Sequence, residues 1–282
     1  MIKSILIPLD PSPYTDSAIQ MGIMLAGLHN AQLTGLVVLD IKGIQKSVGP
    51  VPLGTSYYAE KLEEKHMKQA QERIALLVDK FEQKCKNMGI TYKIARNQGS
   101  PSERIIRESI FFDLVIAGLR THYQFETNEK HEDSLSDLLH ASVTPIVGVP
   151  QILNLPDMTK ERMKVLILFD SSPSSARGLQ RFAQLALPEK TDIKILMSDP
   201  NKAIATAALE HAAEYLKLHG FSQVEITWTK DPIRNACRKK YVRLVDIVVM
   251  GAHSKHGVFD FMVGSMTNCI IKLDKIPVVI GQ

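Results

Sequence analysis

Ser4-Ile5-Leu6-Ile7-Pro8-Leu9-Asp10-Pro11-Ser12-Pro13 stands near the start of the chain, and Lys164-Val165-Leu166-Ile167-Leu168-Phe169-Asp170-Ser171-Ser172-Pro173 stands near its middle. Each is a continuous apolar run that ends in an aspartate and passes into a Ser/Pro cluster. An apolar run without alternation fits a strand covered on both faces, as in a parallel sheet. The Ser/Pro cluster suits a helix start, because serine offers a capping oxygen and proline a rigid first turn.

The pattern continues in both copies. Second strands are expected at Leu33 to Asp40 and Asp192 to Asp199, and third strands at Gly89 to Ala95 and Gln223 to Trp228. Fourth strands follow at Phe112 to Gly118 and Val245 to Gly251, and last strands at Thr144 to Val149 and Ile276 to Gly281. Amphipathic stretches lie between them: Thr15 to Leu28 and Ser174 to Leu187, Ala59 to Asn87 and Lys202 to His219, Ser102 to Phe111 and Ile233 to Leu244, Leu135 to Ala141 and Met266 to Leu273. Five alternations per copy predict an α/β protein of two tandem doubly wound domains with parallel sheets. The boundaries read from the pattern are 1–150 and 161–282, joined by a linker at 151–160 that holds Pro156.

The copies differ in one place. Asp170 follows Asp10 by 160 residues, whereas Gly251 follows Gly118 by 133, so the second copy is 27 residues shorter. The shortfall lies after the second strand, where the first copy carries the loop Ile41 to Tyr58 and a longer helix. That loop, with Val48, Val51, Leu53, Tyr57 and Tyr58, reads either as a cover for the first cleft or a partner surface, or as a mobile insertion.

Composition narrows the class. A chain of 282 residues, 45% hydrophobic and 23% charged, is long enough to bury full cores without staples. The net charge of +4 is small and scattered, and no stretch reads as a Lys/Arg block, so nucleic acid is not the expected partner. No apolar run approaches the ~18 residues of a membrane span, and the amino terminus reads as a strand rather than a signal peptide. The three cysteines, Cys85, Cys237 and Cys269, are far apart and odd in number, which points to neither a disulfide framework nor a zinc cage and to a reducing cytoplasm.

In an open parallel sheet a ligand sits at the carboxyl ends of the strands, near the reversal of strand order. In the second copy those positions are Asp170, Met197 and the segment from Gly251 to Thr267. Gly251 and Gly264 would let main-chain N–H groups approach an anion. Ser265, Met266 and Thr267 would open the next helix, whose first amides are unpaired, and Lys255 would add a full positive charge. Asp170 would accept from an adenine amino group or a ribose hydroxyl, although Asp10 and Asp170 read equally well as caps of the helices that follow.

These residues carry a resemblance. The chain resembles the universal stress protein family in its two-copy form. The family's nucleotide motif is Gly-x-x-Gly, nine residues, then Gly-Ser or Gly-Thr. Here Gly251-x-x-Ser254 is followed by nine residues and Gly264-Ser265, with serine in place of one glycine. The likeness also takes in Pro8-Leu9-Asp10, the run Val249-Met250-Gly251-Ala252-His253, and the closing Ile276-Pro277-Val278-Val279. It implies an adenine-nucleotide alpha-hydrolase-like sheet ordered 3-2-1-4-5 and ATP or AMP, with Mg²⁺ alongside ATP. It implies last strands that pair across a pseudo-two-fold and a stress-response role. On that reading Gly251, Ser254, Gly264 and Ser265 hold phosphates, Lys255, Met266 and Thr267 assist, and Asp170 and Met197 meet the adenosine. A serine at 254 would be strained by ~1 kcal/mol or more if the family's glycine there needs a left-handed backbone.

The first copy departs further. It reads Gly118-Leu119-Arg120-Thr121, then twelve residues, then Ser134, and the span 118–134 carries two basic and four acidic residues. Carboxylates there would repel a triphosphate, by ~4 kcal/mol per pair at 4 Å near a protein surface. The expectation is a lost triphosphate site, with Asp10, Val38 and Gly118 lining an empty or differently used cleft.

Other chemistry is poorly represented. His253-x-x-His256 with Cys269 does not make four metal ligands. No phosphate-binding P-loop, nucleophile elbow, zinc-protease motif or dinucleotide fingerprint is present. The reading is a non-catalytic nucleotide-dependent regulator, an internal pseudo-dimer, with a protein partner and a homodimer left open. The alternatives are a nucleotide-free interaction scaffold and a slow ATP hydrolase.

Overall fold

The computed structural model describes residues 1–49, 56–123, 125, 134–252 and 265–281. The chain divides into two compact units, one of Ile2–Ser142 and one of Val143–Gln282 together with Met1.

The first unit runs β1 (Ser4–Pro8), α1 (Thr15–His29), β2 (Gln32–Leu39), α2 (Ile41–Ser47), α3 (Ser56–Asn87), β3 (Tyr92–Gln98), α4 (Pro101–Ser109), β4 (Leu114–Gly118) and α5 (Ser134–Ala141). Its strands are ordered β3-β2-β1-β4 and are all parallel, with Ile5 opposite Leu33 on one side and Leu114 on the other. β1 is central, and Ile5, Leu6 and Ile7 are buried, as an unbroken apolar run requires.

The second unit begins with β5 (Ile146–Val149), the last strand of the first repeat. It continues with β6 (Met163–Leu168), α6 (Pro173–Leu185), β7 (Thr191–Ser198), α7 (Lys202–Leu218), β8 (Val224–Thr229), α8 (Ile233–Ala236), a π turn (Cys237–Tyr241), β9 (Ile247–Gly251), α9 (Ser265–Leu273) and β10 (Val278–Gly281). The order is β5-β10-β9-β6-β7-β8. Counted within the repeat and read from β8, this is the expected 3-2-1-4-5. Its strands are parallel except β5, which meets β10 antiparallel with Val147 opposite Val279.

The repeats share a clamp at the amino ends of their central strands. Asp113 Oδ2 accepts from the Lys3 N–H at 2.7 Å and the Ser4 N–H at 3.0 Å. Its counterpart Asp246 accepts from the Lys164 N–H at 2.7 Å. Each aspartate precedes the fourth strand of its repeat and ties it to the first.

Three expectations need correction. The stretch read as a loop from Ile41 contains α2, because the Asp40 carboxylate accepts from the Gly43 N–H at 2.9 Å and Ile44 is fully buried beneath it. The helix expected over Ile233 to Leu244 is a single α turn followed by a π turn. The Ser/Pro cluster caps only one of its two helices. Ser172 Oγ accepts from the Ser175 N–H at 3.2 Å with Pro173 in the first turn, whereas α1 follows Tyr14 with no side-chain cap.

Candidate functional site

The turn after the first strand of each repeat decides what its aspartate does. In the first repeat Pro11 follows Asp10, and a proline ring holds φ near −65°. In the second repeat the same place is taken by Ser171, whose φ is +61°. The two turns therefore cannot share a conformation. A non-glycine residue in the left-handed region costs about 1–2 kcal/mol.

Asp10 is buried, 1% exposed. Its carboxylate accepts from the hydroxyls of Thr15 and Thr121 and from the His122 N–H at 2.9 Å. His122 Nδ1 lies 4.0 Å from the same carboxylate. Residues 119–123, which follow β4, are thus folded onto the end of β1. Tyr123 completes the enclosure: burial, and then the Asp10 charge, push its phenol well above the usual tyrosine range against a lowering contribution from Thr121. Val38 is buried at the end of β2. A Cβ on Gly118 would lie 2.4 Å from the Tyr14 Cβ, so the glycine permits Tyr14 to close on the end of β4. The acidic residues at 126–133 lie outside the described residues. The described part of the cleft offers a different account, in which the aspartate's acceptors are taken by its own chain.

The second repeat begins alike and then diverges. The Asp170 N–H donates to Ser175 Oγ at 3.3 Å, as the Asp10 N–H does to Thr15 Oγ1 at 3.2 Å. The Asp170 side chain, however, stays partly exposed at the tip of β6, where Oδ1 accepts from the Ser172 N–H at 3.0 Å. It therefore closes the turn before α6 while keeping contact with solvent.

Met197 is 2% exposed, so its side chain belongs to the core and its main chain is what it can present. It extends β7 one residue beyond Leu196, where pairing with β6 ends at Leu168. Gly251 closes β9 without a left-handed φ. A Cβ there would lie 2.2 Å from Ser174 Oγ and 2.3 Å from the Ser174 carbonyl oxygen. The glycine thus serves the close approach of α6 to β9. Gly178, on the same helix face, meets the Met250 carbonyl in the same way, with its notional Cβ 2.9 Å away. Thr267 is buried in the first turn of α9, and its hydroxyl donates to the Gly251 carbonyl at 3.4 Å. It anchors the helix start to the strand end. Met266 is partly exposed beside it, and Ser265 opens the helix. Ser254, Lys255 and Gly264 lie outside the described residues, as do His253 and His256. Among the described residues no group of His, Cys, Asp or Glu could hold a metal ion.

The structure adds a neighbour that sequence reasoning missed. Trp228, in register with Met197 on β8, donates its indole N–H to the Asp199 carbonyl at 2.9 Å. The ammonium groups of Lys202 and Lys230 stand 5.6 and 5.9 Å from its ring centroid. The chain's single tryptophan, with Lys202 at the start of α7 and Lys230 just after β8, was the available signal. In the first repeat Thr121 stands at the last position of the degenerate motif and His122 directly after it, and nothing in the sequence signals that both turn back onto Asp10.

No described helix is long and apolar enough to cross a membrane. Comparison with curated proteins finds no match. Among solved structures, a universal stress protein from Archaeoglobus fulgidus DSM 4304 superimposes with TM-score 0.71 at 18% identity, covering 99% of this chain and 98% of its own. A putative universal stress protein from Pseudomonas aeruginosa UCBPP-PA14 superimposes with TM-score 0.59 at 15% identity, covering 99% and 92%. A universal stress protein in complex with cAMP covers 43% of this chain and 97% of its own at 21% identity, with TM-score 0.36, too loose a superposition to carry its ligand across. The model of the universal stress protein family matches residues 1–128 and 161–281, one segment in each half. The chain belongs to the universal stress protein family, with the family's pattern present twice.

Proposed function

We propose that the second half, residues 161–282, is an adenine-nucleotide-binding domain and that the first half, residues 1–150, is its closed counterpart. The protein then acts as a non-catalytic regulator in a stress response, with ATP or AMP as ligand. The observation that carries this reading is the contrast between the two aspartates. Asp10 is enclosed by Thr121 and His122, whereas Asp170 remains partly exposed at the carboxyl end of β6.

The residues present suit such a ligand. The Asp170 carboxylate accepts hydrogen bonds from an amino or hydroxyl group, and the main chain at Met197 borders the same end of the sheet. A helix start such as that of α9 presents main-chain N–H groups and partial positive charge to phosphate oxygens. Ser254, Lys255, Gly264, Ser265 and Met266 complete the proposed set. Thr267 contributes by holding α9 against Gly251. Mg²⁺ would enter on the phosphates of ATP, because the described residues offer no ligand cluster for it. Lys202 and Lys230 add positive potential along the same edge.

Thermal unfolding with ATP, AMP and buffer tests the reading. Ligand at 100 times its dissociation constant stabilises by about 2.7 kcal/mol, or a rise in Tm of roughly 5–10 °C. The rise is expected for the intact chain and absent from Gly264→Asp. No rise at millimolar nucleotide sinks the proposal in favour of an interaction scaffold. Release of phosphate above the buffer rate would move it to a slow hydrolase. Equal occupancy of both halves by an ATP analogue would refute the closed first cleft.

A further inference from the structure

β8 is the outermost strand of the second unit and pairs on one side only, with β7. Parallel strands bond through alternate residues. The Ile193 N–H donates to the Gln223 carbonyl at 2.8 Å and the Asp199 N–H to the Thr229 carbonyl at 3.2 Å, so the odd-numbered residues of β8 face β7. Val224, Ile226 and Trp228 therefore turn their main-chain N–H and C=O groups outward, and no described strand pairs with them. None of the six β8 side chains is fully buried.

Open edge strands are commonly guarded by charged side chains of their own. β3, the outer strand of the first unit, follows that rule with Lys93 and Arg96. β8 does not: it reads Val-Glu-Ile-Thr-Trp-Thr, and its one charge, Glu225, is held by Lys194 at 3.1 Å. β-branched and aromatic residues of this kind favour further pairing.

The charge around β8 comes from outside the strand. Residues 230–243 hold six basic residues and one acidic, a net of +5 against +4 for the whole chain. Residues in register share a face, so Met197 and Trp228 lie on one face and Lys194 and Glu225 on the other. On the first face Lys202 and Lys230, both exposed, stand 5.6 and 5.9 Å from the Trp228 ring centroid. On the second, Tyr241 takes Lys194 and the exposed Lys240 at 5.8 and 5.3 Å. Among the described residues no carboxylate pairs with Lys202, Lys230 or Lys240.

We propose that the β8 edge is a docking surface for an acidic, extended segment of a partner protein, which adds to the sheet as a further strand. The main chain of Val224, Ile226 and Trp228 supplies the ladder, and the lysines on both faces select carboxylate side chains. A single-stranded nucleic acid would need open aromatic faces. Tyr241 is buried and Trp228 already holds two lysines, whereas a row of alternating N–H and C=O groups matches another polypeptide backbone.

The test uses the full chain and a labelled peptide, Glu-Thr-Glu-Val-Glu-Thr-Glu, with Lys-Thr-Lys-Val-Lys-Thr-Lys and oligothymidylate as comparisons. Fluorescence anisotropy reads binding, and residue-resolved hydrogen exchange reads the edge. The acidic peptide is expected to bind, more weakly as salt rises, and to slow exchange at Val224, Ile226 and Trp228. The double variant Lys202→Glu, Lys230→Glu is expected to weaken it by roughly tenfold or more. N-methylation of one alternate set of peptide amides should abolish binding, while the other set is tolerated, a test that leaves the protein unaltered. No binding at millimolar peptide, equal binding of the basic peptide, or tighter binding of oligothymidylate each overturns the proposal. So does binding that leaves the three amides unprotected, because the attraction would then be between side chains alone. No nucleotide is present, so the result is independent of the nucleotide reading.

Discussion

Thr121 donates its hydroxyl hydrogen to the Asp10 carboxylate, joining residues 111 positions apart at the carboxyl end of the first sheet. The carboxylate is 1% exposed, so the hydroxyl replaces water that the fold has excluded. Leaving a buried acceptor short of a donor costs about 1–3 kcal/mol. Thr121→Val is therefore expected to lower stability by about that amount, and Thr121→Ser by much less. Urea unfolding of the three proteins decides it; equal midpoints would show that the bond contributes nothing.

Ser171 holds φ at +61° in the turn after β6. Ser171→Gly removes the steric cost of that conformation and is expected to raise stability by up to about 1 kcal/mol, offset in part by greater freedom of the unfolded chain. Ser171→Pro imposes the turn geometry of the first repeat and is expected to destabilise. A thermal melt that ranks proline above glycine would contradict this account of the turn.

Gly251 has a second role open to test without any ligand. A Cβ there would sit 2.2 Å from Ser174 Oγ and 2.3 Å from the Ser174 carbonyl oxygen. Gly251→Ala forces α6 away from β9 and is expected to cost about 1–3 kcal/mol in nucleotide-free buffer. A purely phosphate-binding glycine would show no such loss, so chemical denaturation without nucleotide separates the two accounts.

Asp16 takes hydrogen bonds from Lys80 and Lys84, both at 2.7 Å. Burial raises its pKa, but the two lysines outweigh burial and hold the carboxyl below its ordinary value. A folded pKa below the unfolded one gives stability that is present above about pH 4 and disappears as the folded group protonates. The aspartate side chain is 50% exposed, so the contribution is at most ~1 kcal/mol. Asp16→Asn is expected to lose that much at pH 7 and to match the unmodified chain near pH 2. A gap that widens on acidification would reverse the sign of the argument.

The strands were legible because uninterrupted apolar runs such as Ile5-Leu6-Ile7 and Val165-Leu166-Ile167 leave no face for solvent. Their repetition made two sheets visible before any contact was known. α2 was not legible, because its segment carries Gly43 and few apolar residues; the Asp40 cap and one buried side chain, Ile44, hold it. The site was half legible. Asp10 and Asp170 occupy matching positions in sequence, and nothing in either run distinguishes a buried aspartate from a partly exposed one. Thr121 and His122 lie more than a hundred residues from Asp10, and no local pattern predicts that they return to it. Gly251 reads from the sequence as a place where an anion can approach the main chain, and its closeness to Ser174 follows only from the fold.

What the chain determines by itself is the periodic part: which segments are strands and helices, and that the whole occurs twice. Those follow from the spacing of apolar side chains, a property of neighbours in sequence. Tertiary structure alone decided that Asp10 is buried while Asp170 is partly exposed, and why β9 must end in glycine. Each of these depends on groups that chain folding brings within a few ångströms, where sterics and hydrogen bonding act and sequence distance has no bearing.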